Sequence, residues 1–192
     1  MPPKVKITRE RILDAAFALV RAQGSENLNA RAIARQLGCS TQPVLYHFAT
    51  VEAVKQAVYQ KADDYHSQYL MRAIQQADDP MLEIGMRYVR FAVEEQALFK
   101  FLFQSDHFAR ADLRQLIDGE ELQPVLEVLH QTAGIGQAQA KELFTTVFLL
   151  VHGMASMLAN NTMQYDEAAL RRQLQLVFQG VLAELRGKEA DA

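Results

Sequence analysis

One short stretch of the sequence concentrates side chains of the kinds that bind nucleic acids. It follows Gly38 and comprises Ser40, Thr41, Gln42, Tyr46 and His47. Their hydroxyl, amide and imidazole groups can bond phosphate oxygens or the edges of bases in the major groove of DNA. Ordinary corners between two helices use the same residue types, so this spacing alone leaves two interpretations open.

A second spacing, Glu127-x-x-His130, is one that di-iron helical bundles use. Such a site needs a second copy of the spacing, and no other Glu in the sequence has a His three residues later. The single cysteine, Cys39, excludes an internal disulfide framework and a multi-cysteine zinc site. No phosphate-binding glycine loop, nucleophile elbow or zincin motif occurs. We therefore expect no enzyme activity, no metal and no cofactor.

Aromatic, methionine and isolated histidine residues recur along the C-terminal two thirds of the sequence. Such side chains usually form a protein core, but they can also line an apolar pocket that has a few polar anchors. The second alternative predicts a small-molecule site formed by Tyr88, Phe103, His107, His152 and Met154.

The charge of the 192-residue chain is unevenly distributed. The net charge is −3, but residues 1–48 contain seven basic and three acidic residues, a net charge of +4. The remainder holds 13 basic and 20 acidic residues, a net charge of −7. A basic head on an acidic body suits a protein of which only one end approaches a polyanion.

Helical periodicity predicts the elements that position these groups. Thr8 is a good N-cap for a first helix, which Gly24 ends, and Asn29 is a good N-cap for a second, which Gly38 closes. Ser40 or Thr41 can cap a third helix that has Pro43 in its first turn, where the missing N–H costs little. The predicted inward side chains of the second and third helices are Ile33, Leu37, Val44, Leu45 and Phe48. Three short helices with a tight glycine turn describe a helix-turn-helix, whose third helix would point its N–H groups at phosphate.

The rest of the sequence is also helical in pattern. Strand-like alternation is not sustained anywhere, so we predict an all-α fold of about nine helices. The predicted later helices run from Val51 towards Ile74, over Met81–Phe103, between Gly119 and Gly134, over Gln137–Asn160, and from Asp166 to Arg186.

The N-terminal third of the chain resembles the DNA-binding domain of TetR-family transcriptional regulators. The resemblance covers Ile7 to Tyr59 and is carried by "RILDAAFALV", Gly24, "ARAIARQLG", Ser40 and His47-Phe48. Residues 89–103 and 149–158 are similar to segments of some ligand-binding domains of the same family. The resemblance implies a homodimeric repressor that a small molecule releases from double-stranded operator DNA. It also implies that the last two helices pair across the dimer.

Two positions depart from the family pattern. Leu45 stands where the family commonly has Tyr, and Val51 stands where it often has a phosphate-binding Lys. Lys4 and Lys6 are expected to add backbone contacts as an N-terminal arm, and Arg31 matches a basic position of the family. The complete predicted DNA-contacting set is Lys4, Lys6, Arg31, Ser40, Thr41, Gln42, Pro43, Tyr46 and His47.

Taken together, these patterns predict a helix-turn-helix domain over residues 1–50 and a helical ligand-binding and dimerisation domain over residues 51–192. The last two helices carry more apolar surface than one intramolecular face needs, which favours a dimer over a closed monomer core. The longest apolar run, Leu143 to Ala159, contains Thr, His, Gly and Ser and is expected to be a buried helix rather than a membrane span. The N-terminus lacks the apolar block of a secretory signal, so we expect a cytoplasmic protein. A helical carrier of small molecules that has lost DNA affinity is the alternative function.

Overall fold

The structure is a computed structural model that describes residues 7–72, 77, 79–105, 117–119 and 122–190, with side chains up to residue 187. In this part of the chain the regular elements are nine α-helices without strands, which confirms the all-α prediction. The helices are α1 (Arg9–Gln23), α2 (Ala30–Leu37), α3 (Gln42–His47), α4 (Val51–Met71), α5 (Pro80–Glu94), α6 (Gln96–Phe103), α7 (Gln123–Ala133), α8 (Gln137–Ala159) and α9 (Glu167–Ala190).

The chain forms two compact units. The first joins the chain up to Tyr69 with Glu94–Ser105, and therefore contains α1 to α4 together with α6. The second contains Leu70–Val93 and the chain from Asp106 onwards, and therefore α5 and α7 to α9.

The ends of the first two helices are set by local capping, as predicted. Thr8 Oγ1 accepts a hydrogen bond from the Arg11 N–H at 3.3 Å, and Asn29 Oδ1 accepts one from the Ala32 N–H at 2.9 Å. Gly38 closes α2 with φ 64°, a left-handed conformation that glycine adopts without a steric penalty. The turn between α2 and α3 is therefore tight.

The N-terminal residues 1–50, here called the head, have a core formed by the inward faces of their short helices. Ile12, Ile33, Val44 and Phe48 are all buried. The predicted inward orientation of Leu45 is wrong, because this residue is 52% exposed. Val44 and Phe48 lie four residues apart on one side of the helix, whereas Leu45 is rotated by about 100° from Val44 and falls outside that stripe.

The predicted single helix over Met81–Phe103 is two helices that meet at Glu95. This residue has φ −122° and ψ 44°, which is outside the helical region. Its buried carboxylate accepts hydrogen bonds from Arg21 on α1 and from Tyr65 on α4. A tertiary contact therefore interrupts a stretch whose local sequence favours helix.

The second unit is built around its own apolar core. Leu129, Ala133, Leu143 and Leu185 are buried there, with Phe144 and Leu182 packed against them. A Cβ atom added at Gly85 on α5 would lie 2.6 Å from Leu174 Cδ2 on α9, so these two helices approach each other closely at that point.

The helix α8 is less buried than its sequence predicts. It is long and apolar enough to cross a membrane by length and composition, yet only 28% of its most apolar 18-residue window is buried within the chain. Leu149 and Met157 are exposed on it. The prediction of a buried helix is therefore wrong for one of its faces, because that face has no cover within the part of the chain that the structure describes.

Candidate functional site

The helix α3 and the two residues before it carry six of the nine predicted DNA-contacting side chains. Ser40 and Gln42 are exposed, and Tyr46 is 83% exposed. Thr41 and Pro43 are half-buried at the start of the helix. Because Val44 and Phe48 hold the opposite side against the core, the polar face of α3 is directed to solvent.

Thr41 occupies the N-cap position of α3, but its side chain makes no cap hydrogen bond. Its backbone has φ −71° and ψ −17°, so the residue already has a helical conformation rather than the extended one of a typical cap. The predicted capping by the Thr41 side chain is therefore wrong, although Pro43 lies in the first turn as predicted.

His47 is partly committed to the fold. Its Nε2 lies 3.1 Å from the backbone oxygen of Ile7, and since a carbonyl can only accept, Nε2–H is the donor. The ring of Tyr46 lies edge-on to that of His47, with 5.1 Å between the ring centroids. The contact ties the end of α3 to the chain that precedes α1.

The cationic side chains of the head differ in their exposure and their contacts. Arg31 is exposed in the first turn of α2, and Arg35 is exposed one turn later. Arg9 lies over the ring of Phe48, with 4.6 Å between its guanidinium carbon and the ring centroid. Lys4 and Lys6 lie outside the described residues.

A buried carboxylate connects the head's first helix to the rest of its unit. The Arg21 Nε–H donates to Glu95 Oε2 at 2.7 Å, a second N–H of Arg21 donates to Oε1, and the Tyr65 hydroxyl donates to Oε1 at 2.9 Å. The hydrogen bond with Glu95 raises the pKa of Arg21 above its ordinary value. One side chain at the start of α6 thus holds α1 and α4 together.

In the second unit the structure brings two predicted ligand-site residues together. The Tyr88 hydroxyl oxygen and His152 Nδ1 lie 2.9 Å apart, within hydrogen-bond distance. The ring of Phe148 packs against both, with centroid distances of 6.0 Å and 5.6 Å. Burial raises the pKa of the Tyr88 hydroxyl and lowers that of the His152 imidazole, so both groups favour their neutral forms.

The other predicted ligand-site residues have separate surroundings. Met154 is half-buried two residues after His152 on α8. Phe103 belongs to the first unit, where its ring packs on Phe99 and His66. His107 lies outside the described residues. Phe148 is not among the residues predicted from the sequence, although its position four residues before His152 places the two side chains on one face of a helix.

The Glu127-x-x-His130 pair serves local structure. The His130 Nδ1–H donates to the backbone oxygen of Ile135, and Glu127 accepts a hydrogen bond from Gln131. Within the described residues, no group of three or more His, Cys, Asp or Glu side chains is placed to hold a metal ion.

The chain is similar to known proteins in sequence and in fold. Residues 81–180 match a family model described as "Tetracyclin repressor-like, C-terminal domain". A comparison with curated protein sequences gave no match.

Solved structures of TetR-family and multidrug-binding proteins have a similar fold. A TetR-family member from Streptomyces coelicolor has 20% sequence identity and a TM-score of 0.55, and the match covers 88% of this chain and 96% of that chain. A variant of TetR from Acinetobacter baumannii AYE in complex with minocycline has 16% identity and a TM-score of 0.59, with 91% and 96% covered. The multidrug binding protein EbrR complexed with imidazole has 17% identity and a TM-score of 0.54, with 88% of each chain covered.

Proposed function

The chain belongs to the TetR family of transcription regulators, and from that premise we propose that it binds operator DNA through α3 and is released by a small molecule. The head, residues 1–50, is the DNA-binding domain of this proposal, and residues 51–192 form the ligand-binding and dimerisation domain. Repression relieved by the ligand is the regulatory outcome.

The observation that carries the proposal is the outward polar face of α3. Gln42 and Tyr46 are exposed on this helix while Val44 and Phe48 anchor it in the core, so α3 can enter a major groove without unfolding the head. A glutamine amide can bond both N6 and N7 of adenine, and this assigns base reading to Gln42.

The remaining predicted contacts fix the position of the head on the DNA backbone. The exposed guanidinium of Arg31 is assigned to a phosphate, as are the hydroxyl groups of Ser40 and Thr41. Lys4 and Lys6 are assigned to an arm that follows the backbone, while Pro43 and His47 support the helix at its two ends. The hydroxyl of Tyr46 is likewise assigned to the DNA backbone.

A homodimer through α8 and α9 is the second part of the proposal. Leu149 and Met157 are exposed on α8, and Leu176 is exposed on α9. Gly153 and Gly180 lie on the same two helices, and a Cβ added at either would meet open space, so a partner helix can approach closely. Pairing of these helices with their copies would bury the apolar face and set two α3 helices on half-sites about 34 Å apart.

The small molecule is proposed to bind in the second unit at Tyr88, His152 and Met154. The Tyr88 hydroxyl and the His152 imidazole provide neutral polar anchors among aromatic rings, which suits an apolar or aromatic compound with a hydrogen-bonding group. The solved relatives that bind minocycline and imidazole support a ligand of this kind. Phe103 belongs to the first unit and His107 lies outside the described residues, so neither is included in this proposed site.

Release follows if the ligand binds better to a dimer whose α3 helices no longer match the half-site spacing. The ligand then shifts the population away from the DNA-binding state by its difference in affinity for the two states.

A salt titration of DNA binding tests the proposed function. The probe is a labelled duplex selected from random DNA with the full-length protein, and its dissociation constant is measured at several salt concentrations. We expect the logarithm of the association constant to fall by roughly 0.9 per logarithmic unit of salt for each phosphate neutralised. Arg31→Gln should make this slope shallower, because one phosphate contact per protomer is lost.

The result also separates the regulator from a helical carrier protein. A carrier that has lost DNA affinity would show no saturable binding at low salt, and that outcome would overturn the regulator.

A further inference from the structure

The helix α3 exposes an apolar side chain next to its polar face. Leu45 is 52% exposed, although its neighbours Val44 and Phe48 are only 1% and 3% exposed. The core of the head is therefore complete without Leu45. Its branched side chain is left in solvent, on the helix that is proposed to enter DNA.

The position of Leu45 places it beside the base-reading side of the helix. Gln42 lies three residues earlier and is exposed, and residues at this spacing share one side of a helix. Tyr46 follows directly and is the most exposed large aromatic residue described in the head. Any ligand that Gln42 and Tyr46 contact together therefore also meets Leu45.

The positive charge of the head indicates the kind of ligand that would contact these three residues. Residues 1–48 carry a net charge of +4, and Arg31 and Arg35 are exposed on the neighbouring helix. A protein partner with an apolar surface, or an anionic membrane, would need a broad apolar face to bind. The solvent-facing side of α3 is mainly polar. Duplex DNA fits both the positive charge of the head and the exposed apolar side chain. Its phosphates can pair with the arginines, and its major groove contains one apolar group, the C5 methyl of thymine.

We propose, on the premise of the function above, that Leu45 is a specificity-determining residue that packs against a thymine methyl group of the operator. The contact makes each half-site prefer thymine over cytosine at one position, because cytosine has hydrogen where thymine has the methyl group and offers an N4 amino donor instead. This preference adds to the hydrogen-bond reading assigned to Gln42.

The test removes the methyl group and the leucine separately. In the selected duplex, each thymine is replaced in turn by deoxyuridine, which lacks only the C5 methyl group, and the dissociation constant is measured for the full-length protein. We expect one thymine per half-site at which the replacement weakens binding roughly fourfold, the value for losing one buried methyl-sized group.

The variant Leu45→Ala should bind the thymine duplex correspondingly less tightly and should show no further loss with deoxyuridine at that position. Leu45→Met keeps an apolar side chain of similar volume and should keep the sensitivity to the methyl group. Val93→Ala, at an exposed apolar residue on α5, is the matched control and should bind both duplexes like the unchanged protein.

Each result has a defined consequence. Tight binding to the selected duplex without a methyl-sensitive thymine overturns the role of Leu45 and leaves the regulator intact. Full methyl sensitivity in Leu45→Ala also overturns it. A protein that selects no duplex at all overturns the regulator and, with it, this inference.

Discussion

At the scale of single residues, Gln42 and Arg31 are proposed to make the two kinds of contact that DNA recognition combines. Both side chains are exposed, but Gln42 lies on α3 and Arg31 lies in the first turn of α2. An amide can distinguish base edges, whereas a guanidinium on a phosphate contributes to binding of every sequence.

We therefore expect Gln42→Ala and Arg31→Ala to weaken binding in different ways. Gln42→Ala should lower affinity for the selected duplex by about 1–3 kcal/mol and leave affinity for random duplex DNA nearly unchanged. Arg31→Ala should lower both affinities by the same factor. Competition of the two duplexes for each variant gives the measurement, and equal losses for Gln42→Ala on both would contradict its base-reading role.

His66 offers a separate prediction on stability. His66 lies on α4, and its imidazole is buried beside the ring of Phe103 on α6. Burial lowers the pKa of His66 to about 4. Between about pH 6.5 and pH 4 the unfolded chain protonates this histidine while the folded chain keeps it neutral, so the unfolded state binds more protons and stability falls with decreasing pH.

The free energy of unfolding should therefore decrease by up to about 1.4 kcal/mol per pH unit in this window because of His66 alone. Urea unfolding of the full-length protein and of His66→Gln at pH 7, 6 and 5 measures the difference. The variant should lose less stability between pH 7 and pH 5 than the unchanged chain. Parallel curves would show that the histidine titrates equally in both states.

At the scale of the elements, the sequence predicts what local chemistry decides. Thr8, Asn29 and Gly38 set helix ends through hydrogen bonds and a left-handed turn that involve only near neighbours, and all three predictions are confirmed. The break at Glu95 could not be predicted, because it depends on a partner 74 residues away in the chain. The exposure of Leu45 could not be predicted for a different reason, because a six-residue helix shows too little periodicity to identify its inner face.

The Glu95 contact should contribute measurably to the stability of the first unit. In Glu95→Gln an amide N–H₂ replaces one carboxylate oxygen, so at least one donor of Arg21 or Tyr65 loses its acceptor. The side chain of Glu95 is 8% exposed but that of Arg21 is 48% exposed, and water can therefore compensate part of the loss. We expect a decrease of about 2 kcal/mol in the free energy of unfolding, measured by urea denaturation.

Two variants act as controls for this value. Tyr65→Phe removes one hydrogen bond and should cost about 1 kcal/mol. Asp14→Asn breaks the exposed ion pair with Lys61, whose atoms lie 2.5 Å apart, and should change stability by less than about 1 kcal/mol. If Glu95→Gln is no more destabilising than Asp14→Asn, the buried carboxylate does not stabilise the unit.

At the scale of the whole molecule, the separation of charge and apolar surface supports the proposed division between a DNA-binding head and a dimerising C-terminal part. The head carries a net positive charge and the rest of the chain a net negative one, while the exposed apolar residues of α8 and α9 lie in the second unit. A single head would make few base contacts, so an operator protein gains both affinity and specificity by presenting two heads in a symmetric dimer.

A substitution at Leu176 tests whether this dimer forms through α9. The residue is 63% exposed on that helix, and a two-fold interface would bury it in both protomers at once. Leu176→Glu removes this apolar contact twice and places two carboxylates in the interface, so the dimer dissociation constant should rise roughly 100-fold. Analytical ultracentrifugation over a range of protein concentrations measures the change.

The control Met71→Glu introduces the same charge at an exposed apolar residue on α4, outside the two helices of the proposed interface, and it should leave the dimer unchanged. Because two linked heads bind paired half-sites more tightly than separate heads, Leu176→Glu should also lose affinity for a duplex with two half-sites while binding a single half-site as before. A monomeric unchanged protein would overturn the proposed dimer, whereas a Leu176→Glu variant that still dimerises like Met71→Glu would place the contact between protomers elsewhere on the surface.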